Sequence, residues 1–247
     1  MLRQIQKKVY MSLAKHKIFY PLLFKILRKK GYLERDFDKI IKNYANKHRN
    51  VFFIQIGAND GMKFDSTYLY VKKYNWRGIL VEPVGYVFEK LKDNYRSVNG
   101  LIFENAAIGE RDGFKNFYML EKNEKESLPL WYDEIGSFSK EHILKHRDRI
   151  KDIDKRLITE KIKVLTLKSL FEKHDVSKID FLQIDTEGHD YRILKQIPFN
   201  QIKPSMIVYE DRHLPKKQKE YCQKLLIDNG YTVIRGLDCF AYLKDKI

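Results

Sequence analysis

Apolar positions follow two rhythms along this chain. Residues 51–56 (V-F-F-I-Q-I), 78–81 (G-I-L-V), 101–107, 179–184 (I-D-F-L-Q-I) and 205–209 (S-M-I-V-Y) are short, nearly continuous apolar runs, the pattern of strands covered on both faces. Between the runs apolar residues recur at helical spacing. Leu33, Phe37, Ile40, Ile41 and Tyr44 make one stripe, Val84, Val87, Phe88, Leu91 and Tyr95 another, and Tyr221, Cys222, Leu225 and Leu226 a third. Asp65, Ser66 and Thr67 are suited to cap a helix that turns Tyr68 and Val71 inward, and Pro83 suits a first helical position. Asp228, Asn229 and Gly230 close the last helix, after which residues 231–235 and 239–244 read as a hairpin turning at Gly236. This alternation predicts an α/β fold, a doubly wound, mostly parallel sheet with one antiparallel strand near its edge.

Two stretches stand outside the alternation. Residues 121–161, between a strand at 114–120 and a short strand and helix at 162–174, exceed an ordinary connection and predict a lid or binding loop. Within them lie Trp131, Gly136-Ser137-Phe138-Ser139 and a charged helix bearing His142 and His146. Two histidines four apart could share a metal, but the acid of an H-E-x-x-H pattern is missing, so a solvated helix face and no metal are expected. At the other end, Leu2, Ile5, Val9, Leu13, Tyr20, Leu23 and Leu27 make residues 1–30 a basic amphipathic segment, interrupted at Pro21. The organisation expected is a basic helical N-terminal extension, residues 1–50, and a domain over 51–247 with an insertion at about 121–161.

Composition narrows the setting. The chain has 247 residues, 43% of them hydrophobic, enough for one domain with a sizeable core. Cys222 and Cys239 are its only cysteines, too few for a disulfide framework, which favours a reducing, cytoplasmic setting. The longest apolar run, residues 18–27, contains Pro21 and Lys25, so neither a membrane span nor a signal peptide is expected. Net charge is +15; residues 1–50 hold 14 Lys and Arg against three acids, a balance of +11. The leader therefore calls for an anionic partner, and docking on the inner face of a membrane is one expectation, packing on its own domain or on a second subunit another.

The chemistry gathers at strand ends, where ligands of open α/β sheets bind. After the first run come Gly57, Ala58, Asn59, Asp60 and Gly61, a turn whose glycines let backbone approach a ligand. Glu82 ends the second run, at about the offset at which an acid takes ribose hydroxyls in the dinucleotide fingerprint. Asn105 and Ala106 end the third, where an adenine would lie. The fourth ends in Asp185-Thr186-Glu187-Gly188-His189 and the fifth in Glu210-Asp211-Arg212-His213. Asp185, Glu187 and Glu210 could take a divalent ion, although no ligand spacing requires one.

In this order, I-G-A-N-D-G, Val81-Glu82-Pro83, Glu104-Asn105-Ala106-Ala107-Ile108-Gly109 and Ile184-Asp185-Thr186-Glu187-Gly188-His189 resemble the FkbM-type methyltransferase family over residues 51–214. The sequence departs from it at Gln55, where many relatives carry an acid. The resemblance implies a seven-stranded Rossmann-like methyltransferase sheet with its last strand reversed, S-adenosylmethionine as cofactor, and O-methylation of a small hydroxylated acceptor, often a sugar of a glycan. It also implies Ser137 and His142 as substrate-side residues. A hydroxyl nucleophile needs a proton acceptor, for which His189 has the free pKa nearest neutrality, while Asp185 could orient the substrate or the sulfonium end of the cofactor. The net charge raises RNA as an alternative acceptor, but N-P-P-Y is missing and the basic residues concentrate outside the site. A dehydrogenase fits poorly because Met62 and Lys63 break the glycine spacing of G-x-G-x-x-G, which leaves a non-catalytic nucleotide-binding module as the other alternative.

Overall fold

A computed structural model of the chain describes residues 37–247 except 63, 64, 66, 123–127, 130, 133, 134 and 237. The basic leader over residues 1–30 lies outside the described residues, as does the start of the stripe at Leu33. Ten strands are present among them: β1 Phe52–Ile56, β2 Arg77–Val81, β3 Leu101–Glu104, β4 Ala107–Ile108, β5 Gly113–Leu120, β6 Leu157–Leu165, β7 Phe181–Ile184, β8 Met206–Tyr209, β9 Thr232–Arg235 and β10 Cys239–Tyr242. The helices are α1 Asp38–Lys47, α2 Thr67–Tyr74, α3 Gly85–Tyr95, α4 Lys140–Leu144, α5 Ile153–Arg156, α6 Leu167–Lys173, α7 Asp190–Leu194 and α8 Lys216–Asp228.

Seven strands form one sheet in the order β3-β2-β1-β7-β8-β10-β9, and only β10 runs against its neighbours. The sheet is the expected doubly wound one, with the order reversing between β1 and β7. Because side chains alternate along a strand, Phe53, Leu80, Phe181 and Val208 enter one face with Ile41 and Tyr44 of α1, Val71 of α2 and Leu91 of α3. Ile54, Ile79, Leu182 and Ile207 enter the other with Leu170 of α6, Leu194 of α7 and Leu226 of α8. Both faces are covered, which is why these strands read as unbroken apolar runs. Tyr44 also donates to Asp180 Oδ1 at 2.6 Å, and Phe52 N donates to Asp180 Oδ2 at 2.9 Å, so the buried Asp180 ties α1 to the start of the sheet.

Several boundaries differ from expectation for local reasons. The third run splits: Ala106 N donates to Glu104 O, the chain turns, and Ala107–Ile108 pairs with β6 in a separate three-stranded sheet ordered β4-β6-β5. Strand β6 begins at Leu157, since it pairs antiparallel with β5 along its whole length, so the insertion between them is 121–156. Helix α3 starts at Gly85 rather than Pro83 because Glu82 Oε1 captures Val84 N at 2.8 Å and holds Val84 extended. The helix bearing His142 is short and ends at Leu144, before His146. On α8, Cys222 and Leu226 are buried and Leu225 is partly buried, but Tyr221 is exposed and meets the ring of Tyr191 edge-on.

Candidate active site

The exits of β1 and β7 run so close that only glycine fits between them. Gly57 sits at φ +78°, and a Cβ there would lie 1.8 Å from the Asp185 carbonyl oxygen. Gly57 N and Ala58 N both donate to Val81 O at 3.0 Å, which draws the turn onto the end of β2. Glu82 completes the closure: its Oε2 accepts from Asn59 N at 2.9 Å while Oε1 accepts from Val84 N. Its carboxyl is 6% exposed, and burial pushes its pKa up to about 7 against the downward pull of the Val84 and Asn59 amides.

Beyond these strand ends lies a cleft with about 950 Å³ of free space, part of it open to solvent. Gly57, Ala58, Asn59, Glu82, Ala106, Asp185, Glu187 and His189 line it, together with Gln55, Asp65, Gln183, Phe117 and Phe138. Gln55 and Gln183 stand side by side in register on β1 and β7. Gln55 Nε2 donates to Asp65 Oδ2 at 3.2 Å, Asp65 Oδ1 accepts from Thr67 N, and Thr67 Oγ1 donates to Gln183 Oε1 at 2.5 Å. Asp65 thus caps α2 and lines the cleft. Among the described residues, Gln55 Oε1 and His189 Nε2 are buried atoms without a hydrogen-bond partner.

The end of β7 meets the end of β8 through Asp190. This fully buried acid accepts from Thr186 Oγ1 at 2.7 Å with Oδ2 and from Glu210 N at 3.1 Å with Oδ1. Burial pushes it up to about 7, the Glu210 charge adding to the effect. Glu187, at φ +53°, accepts from His142 Nε2 at 2.9 Å and lies 3.2 Å from His213 Nε2, both on Oε2. His142 is set in place by Ser139, whose Oγ accepts from His142 N at the start of α4. Burial raises Asp185 well above the usual carboxylate range, and the charges of Glu210, Glu187 and Asp190 push the same way, although its side chain remains reachable by water through the cleft. Burial and then the Glu187 charge raise Glu210 to about 7. Burial would raise Glu187 as well, but the bond from His142 and the charge of His213 hold it below its ordinary value. Burial, and after it the Arg192 charge, lower His189 to about 4.

Seven expected site residues do not line the cleft: Asp60, Gly61, Asn105, Ser137, His142, Glu210 and His213. Asn105 is exposed and points its amide away from the cleft, donating to Glu82 O at 2.8 Å and Pro83 O at 3.2 Å. Asp60 lies behind the loop, where its Oδ1 accepts from Met62 N and its carbonyl from Asn94 Nδ2. Gly61, at φ +67°, packs so closely on α3 that a Cβ would come 2.4 Å from Leu91 and Tyr95 side-chain carbons. Ser137 pairs its backbone with Tyr118 and accepts from Ser139 N with Oγ, so its neighbours Gly136 and Phe138 line the cleft instead. His142 and His213 are not on the cleft wall but join at Glu187 behind it. Conversely, Gln183, Phe117 and Asp190 carry no recognisable pattern in sequence, and Phe138 lies in the Gly-Ser-Phe turn whose serine was the expected site residue; only the acid at a helix start could have marked Asp190.

A doubly wound sheet with its seventh strand reversed, a glycine turn closed onto an acid at the end of β2, and a cleft over both define a nucleoside-binding protein of the methyltransferase class. The sequence assigns it further: residues 55–233 match the methyltransferase FkbM domain, and the chain belongs to that family. S-adenosylmethionine is accordingly its methyl donor. No curated protein matches the chain. The solved structure of methyltransferase FkbM from Methylobacillus flagellatus KT aligns at 14% identity over 78% of this chain and 44% of its own, with a TM-score of 0.48, so this chain spans less than half of that protein. Precorrin-6y C5,15-methyltransferase from Geobacter metallireducens GS-15 aligns at 10% identity over 83% and 86% of the two chains, with a TM-score of 0.42. The Methanococcus jannaschii fibrillarin pre-rRNA processing protein aligns at 10% identity over 79% and 67%, also with a TM-score of 0.42. The cleft fits the donor on its own terms: buried, unpartnered Gln55 Oε1 and His189 Nε2 await polar groups, and each Glu82 oxygen keeps a lone pair beyond its backbone bond.

Proposed function

We propose that the protein transfers a methyl group to a hydroxyl of a small or glycan acceptor, a sugar above all. The observation that carries this reading is the acidic corner of the cleft, where Asp185 is reachable by water and has carboxyl oxygens of Glu187 and Glu210 within 4.8 Å. Carboxylates accept hydrogen bonds from hydroxyls and repel phosphates, so the corner favours a polyhydroxylated acceptor over RNA. S-adenosylmethionine supplies a methyl already activated on a sulfonium. Glu82 would hold its ribose hydroxyls, Gln55 and His189 its polar groups, and Ala106, Phe117 and Phe138 an apolar wall. Asp185, rather than His189, takes the proton of the acceptor hydroxyl. His189, flanked by Phe138 and with a lowered pKa, is neutral near pH 7 and serves as a hydrogen-bonding group.

The test supplies methyl-labelled donor with nucleotide sugars, lipid-linked saccharides and total RNA. Label entering a saccharide as a base-stable ether supports the proposal, and label entering RNA alone overturns it. Asp185→Asn should abolish the saccharide product while leaving S-adenosylhomocysteine binding in place.

A further inference from the structure

Behind the acidic corner, three segments distant in the chain converge on one point. His142 comes from α4, Glu187 from the loop after β7 and His213 from the segment between β8 and α8. Glu187 Oε2 lies 2.9 Å from His142 Nε2 and 3.2 Å from His213 Nε2. One ligand atom from each of the three residues falls within 4.8 Å of the others, as do carboxyl oxygens of Asp185, Glu187 and Glu210, so two such sets share Glu187.

Histidine–carboxylate pairing alone accounts poorly for this arrangement. Two imidazole nitrogens converge on one oxygen, yet Glu210 Oε2, on a side chain only 3% exposed, has no hydrogen-bond partner among the described residues and lies 3.6 Å from His213 Nε2. Its other oxygen is taken by Arg212, whose Nε donates at 2.9 Å. A buried carboxylate oxygen left unbonded in a cluster of acids marks the place of a missing positive charge. The spacing fits an ion: nitrogen and oxygen ligands at about 2.1 Å stand about 3.0 Å apart in neighbouring octahedral positions and about 3.4 Å apart in tetrahedral ones. The His213–Glu187 separation of 3.2 Å falls in that range, and the His142–Glu187 separation of 2.9 Å lies just below it.

We infer that His142, Glu187 and His213 hold a divalent first-row transition-metal ion, with the unbonded Glu210 oxygen beside it and the remaining positions open towards Asp185 and the cleft. Two imidazoles select manganese, iron, cobalt or zinc over magnesium and calcium, which prefer all-oxygen shells. His146 is not part of the site: it is not among the residues whose ligand atoms lie within 4.8 Å of one another, and its ring packs 5.0 Å from that of Trp131. The ion's role rests on the O-methylation reading, whereas its binding does not. In that role the acceptor hydroxyl oxygen fills the open position. The hydroxyl O–H bond would break with its proton going to an Asp185 oxygen, and the electron pair left on the acceptor oxygen would form the new bond to the methyl as the methyl–sulfur bond breaks, its pair staying on the sulfur of the departing S-adenosylhomocysteine.

The test titrates the chelator-treated full-length protein with Co²⁺. One equivalent should bind with visible absorption, and two exchangeable, hyperfine-shifted imidazole N–H signals should appear. His142→Gln and His213→Gln should each lose the absorption while His146→Gln keeps it, with S-adenosylhomocysteine calorimetry on each variant reporting an intact cleft. Failure of the wild-type protein to take up Co²⁺, or equal uptake by a folded His142→Gln/His213→Gln double variant, overturns the site. Should the variants not fold, the wild-type signals decide: two support the site, and one or none overturns it. Saccharide methylation indifferent to chelation would overturn the role in catalysis and leave the site standing, which separates this failure from that of the methylation reading.

Discussion

Glu82 should make cofactor affinity depend on pH in a defined direction. Its carboxyl titrates at about 7 because it is buried, even with two amide hydrogens bonded to it. Ribose hydroxyls donate to a carboxylate, so binding selects the ionised form and releases a proton wherever Glu82 is protonated beforehand. For a group titrating at about 7, roughly one molecule in eleven is ionised at pH 6 and ten in eleven at pH 8. S-adenosylhomocysteine should therefore bind about tenfold more weakly at pH 6 than at pH 8, a difference of about 1.4 kcal/mol. Isothermal calorimetry in buffers of different ionisation enthalpy measures both affinity and proton release. In Glu82→Gln the slope should flatten and the plateau affinity fall by about ten- to a hundredfold, as charge-assisted bonds are lost. Constant wild-type affinity from pH 6 to 8, or the same slope in Glu82→Gln, would refute the ribose assignment. Stability carries the opposite sign. Between about pH 4.5 and 7 the unfolded chain has released the proton that folded Glu82 retains, so this group removes up to about 3 kcal/mol of stability over that window as pH rises.

Asp185→Asn should lower turnover on a saccharide acceptor by about a hundredfold or more with little change in S-adenosylhomocysteine affinity; near-normal turnover would remove Asp185 as the proton acceptor. Gly57→Ala drives a methyl into the Asp185 carbonyl and should cost about 3 kcal/mol or more, visible as a lowered urea midpoint. Glu104 offers a contrast with Glu82. Burial would raise it, but Lys173, Lys163 and His174 hold it down to about 2, so its contribution is complete above about pH 4.5 and lost as pH falls towards 2. Discounted for the exposure of the two lysines, Glu104→Gln should cost about 1–2 kcal/mol at pH 7 and only roughly a few tenths at pH 2, read by denaturant titration at both. Deleting residues 1–30 should abolish sedimentation with anionic vesicles at moderate salt and spare cofactor binding; a full-length chain that ignores vesicles would sink the membrane expectation.

The sheet was legible because strands buried on both faces leave continuous apolar runs, and the turn because Gly57 leaves a glycine where no Cβ fits. Glu82 could be placed by its distance from that turn. The small sheet was not legible: β5 and β6 pair across residues 121–156, and nothing local in either strand announces a partner that far away. Asn105 shows a second limit. Its position at the end of β3 is where an adenine contact belongs, but the backbone turns between Glu104 and Ala106, and its amide is spent on Glu82 O and Pro83 O. The histidines show a third. Sequence spacing put His142 and His146 on a solvated helix face, whereas the fold buries His142 and joins it to His213 through a glutamate of another loop. Helical spacing reports neighbours on one element, while the corner of a doubly wound sheet is assembled from several.

The charge of the chain and the charge of its site have opposite signs, and that opposition constrains the acceptor. Residues 1–50 hold +11 of the +15, leaving +4 for the remaining chain, within which Asp185, Glu187, Asp190 and Glu210 gather at one corner. Even with one divalent ion bound there, a polyanion threaded through that corner would meet four carboxyl groups, which argues against nucleic acid despite the basic composition. A neutral saccharide suffers no such repulsion. If its carrier is anionic, as the diphosphate of a lipid-linked sugar is, the carrier would be drawn to the basic leader while the sugar enters the acidic corner. Acceptors differing only in the carrier separate the two effects: removing the diphosphate should raise KM in a salt-dependent way and leave kcat unchanged, because the carrier touches none of the reacting atoms.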